Sequence, residues 1–247
     1  MKNYRLMKNE LERYSRQILI WGAEGQLKLK ESSVTIVGLG GLGSIISLYL
    51  VAAGIGKLFI VDKSKVKLDN LNRQILYTIN DIGKNKALIA REKLLKLNPN
   101  VDIEAYPETF DEKIGDKLVS KSDLVIDALD NWETRIILNK ICVKYRKTLI
   151  HGGVSENYGQ LMVIIPGKTP CLQCIFPQKI ERREIFPIFG PIPGIIGSLE
   201  ALEAIKILTN YAQPALNKLI FFDGRNLSLK ILRLKRNPKC PVCGRLK

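Results

Sequence analysis

The chain has 247 residues, 46% of them hydrophobic, with 39 Lys and Arg against 24 Asp and Glu. That is enough apolar sequence for one large α/β domain, and it excludes a disordered polyelectrolyte. The net charge of +15 predicts anionic partners such as nucleotides, nucleic acid, membrane surfaces or acidic proteins. No apolar run follows the polar, basic start MKNYRLMKNELERYSRQ, so no signal peptide is read there and a cytoplasmic location is expected.

In chain order, an amphipathic N-terminal helix leads into a strand at 33 to 38, a helix from 42 and a second strand, KLFIVD. The stretch from 32 to 56 carries no charge and has the length of a membrane span, but Gly38, Gly40, Gly41, Gly43, Gly54 and Gly56 break it into strand, turn and helix, so it reads as buried core. Helix KNKALIAREKLLKLN, alternating VDIEAYP, strand DLVIDAL, helix NWETRIILNKICVKY and strand TLIHGG follow. From about residue 157 the pattern changes to YGQLMVIIP, a Pro-rich loop, helix SLEALEAIKILTN, and then KLIFFDG and LSLKILRLKR, which read as antiparallel. The expectation is a Rossmann-like, doubly wound, mostly parallel sheet with antiparallel C-terminal strands, in one domain over 1 to 247. Its halves divide near 155: nucleotide-binding over about 30 to 155, metal-bearing over about 156 to 247.

VGLGGLGS places Gly38, Gly40 and Gly43 as GxGxxG directly after a strand and before a helix, the context in which glycines let the backbone approach phosphate at a helix N-terminus. Asp62 ends the next strand, where a carboxylate can accept from ribose hydroxyls. This much suits a nicotinamide dehydrogenase equally well. DNLNRQILYTINDIGKNKA then adds Arg73 and Lys86, a planar fork and a point charge suited to a longer phosphate chain than a dinucleotide carries. DLVIDALDNWETR sets Asp127 in a strand and Asp130 and Asn131 just beyond it; Asp130 can hold magnesium or cap the helix that starts near Trp132.

Five cysteines in a cytoplasmic chain indicate metal or redox chemistry before disulfides. Cys171 and Cys174 in PCLQC, with Cys240 and Cys243 in KCPVCG, make two CxxC pairs able to close a four-thiolate structural zinc site, with a redox CxxC as the competing reading. Cys142 reads as core packing, and His151 as a hydrogen-bonded structural residue.

With RYSRQ, VGLGGLGS, IVDKSKVKLDNLNRQ, IGKNKA, DALDNWETR, GQLMV, CLQC, GIIGSLEALEAIK and NPKCPVCG in order, the sequence resembles the ThiF/MoeB/HesA family, relatives of ubiquitin-activating enzymes. That resemblance implies ATP-dependent adenylation of the C-terminal glycine of a small ubiquitin-like sulfur carrier ending in Gly-Gly, by a homodimer, without membrane or nucleic acid. It implies Gly41 in the phosphate loop, Asp62 on the ribose, and Asp69, Asn70, Arg73 and Lys86 around the phosphates. Asp130 would bind magnesium with Asn131 beside it, and Arg16 would reach into the neighbouring subunit's site. A carboxylate nucleophile is ionised at neutral pH, with a pKa of about 3.5, which matches a chain holding one histidine and no GxSxG.

Some relatives carry a cysteine before the GIIGSLEA helix for a persulfide or thioester step, whereas IFPQKIERREIFPIFGPIPG has none between Cys174 and Cys240, and no rhodanese segment follows Cys243. The expected reaction therefore stops at the acyl adenylate. A tRNA-modifying dehydratase of the same superfamily, a non-catalytic nucleotide-gated scaffold and a plain dehydrogenase are the alternative readings.

Overall fold

A computed structural model describes residues 5–177 and 187–246. Two N-terminal helices, α1 (Lys8–Arg13) and α2 (Ser15–Glu31, broken at Gly22), lead into alternating strands and helices. These are β1 (Ser33–Val37), α3 (Gly41–Ala53), β2 (Lys57–Val61), α4 (Lys86–Leu97), β3 (Asp102–Tyr106), α5 (Glu112–Val119), β4 (Leu124–Asp127), α6 (Trp132–Lys144) and β5 (Thr148–Ser155). The second half holds β6 (Tyr158–Ile164), α7 (Leu172–Ile175), α8 (Pro191–Thr209), β7 (Lys218–Asp223) and β8 (Ser228–Arg233).

The eight strands of the described residues join one sheet in the order β3-β2-β1-β4-β5-β6-β7-β8. Pairing is parallel from β3 to β5 and antiparallel from β5 to β8. Parallel strands covered on both faces must be largely apolar on both, which is why β1, β2 and β4 read as short runs of Val, Ile, Leu and Phe interrupted by Thr35 and ended at Asp127. Ile36, Ile60, Ile126 and Ile150 enter the core shared with α3, α4 and α8. Their neighbours Val37, Val61, Val125 and Leu149 enter a second core with α5 and α6.

The chain winds outward from β1 to β2 and β3 and then returns to β4 on the other side of β1. That reversal opens a crevice beyond the C-terminal ends of β1 and β4, the place where open α/β sheets bind ligands.

Helix α8 begins at Pro191, seven residues before the SLEALEAIKILTN segment. Prolines fit there because the first helical turn has no intrahelical acceptor for its N–H groups, so their missing hydrogens cost nothing and their fixed φ suits the helix. Of the thiol-free loop before this helix, residues 178–186 lie outside the described residues. Among the described residues, no helix is long and apolar enough to cross a membrane.

Candidate active site

The glycine loop leaves β1 with Gly38 at φ 95°, where a Cβ would stand 2.5 Å from the Ala128 carbonyl oxygen. Gly43 packs so closely beneath it that a Cβ would meet the Gly38 carbonyl at 2.0 Å. Gly43 thus serves the packing of α3 under the loop, while Gly38, Gly40 and Gly41 line the cleft. Leu39, between them, is held on both sides of its peptide. Asp62 Oδ2 accepts from its N–H at 2.8 Å, and the Tyr77 hydroxyl donates to its carbonyl at 2.9 Å.

The cleft has a volume of about 540 Å³. Besides the three glycines, Asp62, Arg73, Lys86, Asp130 and Asn131 line it, so residues far apart in sequence meet at the switch point. Lys86 sits at the start of α4 behind the Asn85 cap, and is buried. Burial pulls its ammonium pKa below the ordinary value, against the opposing pull of Asp62 and Asp130, and nearby Arg73 lowers it further. A buried cation in that position gains from any anion placed beside it. Arg73 is braced by the Asp69 carbonyl at 2.8 Å and by Asn72 Oδ1 at 2.9 Å.

Besides Gly43, three expected residues lie outside the cleft walls. Asn70 is buried in its turn, accepting from the Lys67 N–H and donating to Asp69. Asp69 is exposed and meets Arg73 through its backbone, and Arg16 is exposed on α2. The helix-capping alternative for Asp130 is overturned. Asn131 is the N-cap of α6, accepting from the Thr134 N–H at 2.9 Å. Asp130 is exposed and has no hydrogen-bond or ion-pair partner among the described residues, which leaves its carboxylate free to take a divalent cation together with phosphate oxygens.

Under the Asp130 loop lies a polar network of buried groups. Asp127 Oδ2 accepts from His151 Nδ1 at 2.7 Å, and Asp127 Oδ1 from the Leu129 N–H at 3.1 Å. Arg135 donates to the carbonyls of Leu129 and Gly152 and pairs with Asp127. Burial works against the Asp127 carboxylate, but Arg135 and His151 hold it below the usual carboxylate range. Burial lowers the His151 pKa despite Asp127, which favours the neutral ring. The protonated Nδ1 therefore faces Asp127, and Nε2 accepts from the Gln160 amide at 2.9 Å. His151 is the hydrogen-bonded structural residue that its strand-end position suggested.

The sequence reading assigned no role to Gln74, Trp132, Arg135 or Gln160, all of which line the cleft. Gln74 is buried, with Oε1 unpartnered among the described residues, and follows Arg73 directly. Its signal was adjacency alone, whereas Arg135 and Gln160 stood inside the motifs DNWETR and GQLMV.

About the four cysteines, all Sγ atoms lie within 4.8 Å of one another. Cys171 and Cys240 are 3.7 Å apart, Cys174 and Cys243 3.3 Å, and Cys171 and Cys174 4.0 Å. A tetrahedron with zinc–sulfur bonds of about 2.3 Å has edges of about 3.8 Å, so the four thiols fit a structural zinc ion. Burial raises the Cys171 and Cys174 thiols, the latter to about 11, while backbone N–H donors at Cys243 and Val242 outweigh burial and lower Cys240. Arg236 ties this tail down through the carbonyls of Gly167, Cys243 and Leu246. Phe176, just after α7, packs on Trp132 of the cleft with ring centroids 4.9 Å apart.

The profile of the ThiF family matches residues 14–242. A sulfur carrier protein adenylyltransferase of Thermus thermophilus is 40% identical over 252 residues, covering 97% of this chain and 93% of that protein. A heterocyst HesA protein of Trichormus variabilis is 40% identical over 242 residues, covering 97% and 91%. Among solved structures, MccB of Escherichia coli with ATP superposes with a TM-score of 0.83 at 28% identity, covering 97% of this chain and 75% of that one. MccB in complex with N-formylated MccA gives 0.86 at 28%, covering 96% and 76%.

Proposed function

This chain belongs to the ThiF family, and from that premise we propose that it is an adenylyltransferase that uses ATP to adenylate the C-terminal glycine carboxylate of a small ubiquitin-like sulfur carrier. The observation that carries the reading is the meeting of Arg73, Lys86, Asp62 and Asp130 with the glycine loop in one cleft at the sheet's switch point. A dinucleotide needs no such cations beyond its pyrophosphate loop, whereas displacement at a triphosphate develops charge that fixed cations stabilise. The name of the Thermus relative and the ATP-bound MccB support the same choice of substrates.

In this reading the ribose rests at Asp62 and the phosphates run along the N-terminus of α3 between Arg73 and Lys86. The carrier carboxylate, ionised without help from a base, attacks the α-phosphorus; the new O–P bond forms as the bond to the β-phosphate oxygen breaks, and pyrophosphate leaves with the electron pair. The protein supplies alignment and charge. Asp130 would hold a magnesium ion, which neutralises phosphate charge. Cys171, Cys174, Cys240 and Cys243 would hold a zinc ion that joins the C-terminal tail to the β6–α7 loop. The nucleotide half covers about 30 to 155 and the carrier-binding half about 156 to 247, and the enzyme works as a cytoplasmic homodimer in which Arg16 reaches the partner's cleft.

ATP–pyrophosphate exchange, measured with magnesium and each small Gly-Gly-terminated protein in turn, tests the assignment. Exchange is expected with one or more carriers and none with a carrier lacking its last glycine. Exchange that ignores the carrier altogether overturns it.

A further inference from the structure

Gln160 sits on β6 opposite Gly153 of β5 and Phe221 of β7, on the wall of the cleft. Gly153 leaves the space that its amide needs, since a Cβ there would be 3.1 Å from both Gln160 Cγ and Nε2. The orientation of this amide is set from below. Asp127 takes the His151 Nδ1–H, the remaining ring nitrogen is a lone pair, and that lone pair requires a donor, which Gln160 Nε2 supplies at 2.9 Å. The other end of the amide, Oε1, is then an acceptor of fixed direction on the half-buried wall of the cleft, and it receives no hydrogen bond from any described residue.

Position decides what such an acceptor meets. β2, which carries the residue assigned to the ribose, and β6 are four strand spacings apart, about 19 Å at 4.8 Å each. With the phosphates lying between them, beyond β1 and β4, Gln160 faces the acyl side of the reaction. A glycine-terminated substrate has no side chain there, so its nearest hydrogen-bond donor to the reacting carboxylate is the terminal residue's own amide N–H. Tyr158 and Phe221, stacked 5.5 Å apart between ring centroids, and Trp132 line the same part of the cleft.

We infer that Gln160 Oε1 accepts the amide N–H of the terminal glycine, with Asp127 and His151 acting as positioning residues that lock the amide in this sense. The inference rests on the adenylation reading and specifies how the tail is held. It makes the enzyme select a last amide that carries hydrogen.

The test is exchange kinetics with the active Gly-Gly-terminated carrier prepared with either glycine or N-methylglycine as its last residue. In the unsubstituted enzyme N-methylation raises the carrier KM by about tenfold, the scale of one lost hydrogen bond, and leaves the KM for ATP unchanged. Gln160→Met raises the KM for the glycine carrier by a similar factor and no longer separates the two carriers. Gln160→Glu, whose carboxylate is held by a proton taken up at His151 Nε2 and still offers an oxygen to the tail, still separates them. Undiminished discrimination by Gln160→Met overturns the inference, as does a raised KM for ATP alone. Absence of carrier-dependent exchange in the unsubstituted enzyme removes the adenylation reading and this inference with it, whereas exchange without coupling to Gln160 removes the inference alone.

Discussion

Asp127 and His151 stand side by side on the parallel strands β4 and β5, fully buried, with the carboxylate accepting the imidazole Nδ1–H at 2.7 Å. One carboxylate thereby orients the ring with one oxygen and holds the backbone of the Asp130 loop with the other. Both groups have pKa values below the ordinary ones in the folded chain. A depressed value gives a contribution that is complete above the unfolded pKa and is lost as pH falls toward the folded one. Urea unfolding should therefore show stability declining below about pH 6.5, the ordinary histidine value, and His151→Asn should remove the first part of that decline.

Glu200 shows the opposite sign. Its carboxyl is fully buried over Gly152, with neither oxygen hydrogen-bonded among the described residues, and burial, then the neighbouring Asp127 charge, raises its pKa well above the ordinary value despite Arg135. A raised value means that stability is complete below the unfolded pKa of about 4.3 and is lost as pH rises. Glu200→Gln should raise the melting temperature at pH 8 by about 2–4 °C, equivalent to about 1 kcal/mol, and give no gain at pH 4. An equal effect at both pH values would show that packing, not ionisation, is responsible.

Arg73→Ala and Asp130→Ala should each lower carrier-dependent pyrophosphate exchange by at least about 100-fold, the scale of losing one fixed electrostatic contact. Both side chains lie on the cleft wall and are not in the buried core, so melting temperature should change little. Exchange that survives both substitutions would remove them from the catalytic centre.

Metal analysis should find one zinc per chain. Cys174→Ser should lower zinc content and melting temperature together, because binding energy at a structural thiolate site is folding energy. The Trp132–Phe176 contact passes from this site to the cleft, so tryptophan emission should report the loss. Protein isolated without zinc, melting as before, would point to a different use of the four thiols.

Cys142 is fully buried, and burial raises its thiol pKa far above the ordinary value, with Asp127 adding to the effect. A buried, protonated thiol is a poor nucleophile. Cys142→Ala should retain exchange, and no reductant-sensitive adduct between enzyme and carrier should be required for product. A stoichiometric adduct mapping to Cys142 would make the chain a thioester-forming activator.

What the sequence determined by itself was local or periodic. Alternating apolar strands and amphipathic helices announce a sheet covered on both faces, the strand–glycine–helix junction announces an anion site, and CxxC pairs carry their own spacing. Tertiary structure decided whatever depends on register. Asp127 meets His151 only because β4 and β5 pair in parallel at that step, and Gln160 is set across from Gly153, next to that pair, by the antiparallel return of β6. One residue of slip on either strand would turn those side chains to the other face. The choice of Asn131 over Asp130 as the α6 cap, which leaves Asp130 without a partner among the described residues, likewise turns on backbone angles that two adjacent capping residues cannot distinguish in sequence. Burial set the direction in which the His151 and Glu200 pKa values move, since desolvation depends on what packs around a group and not on its neighbours in the chain.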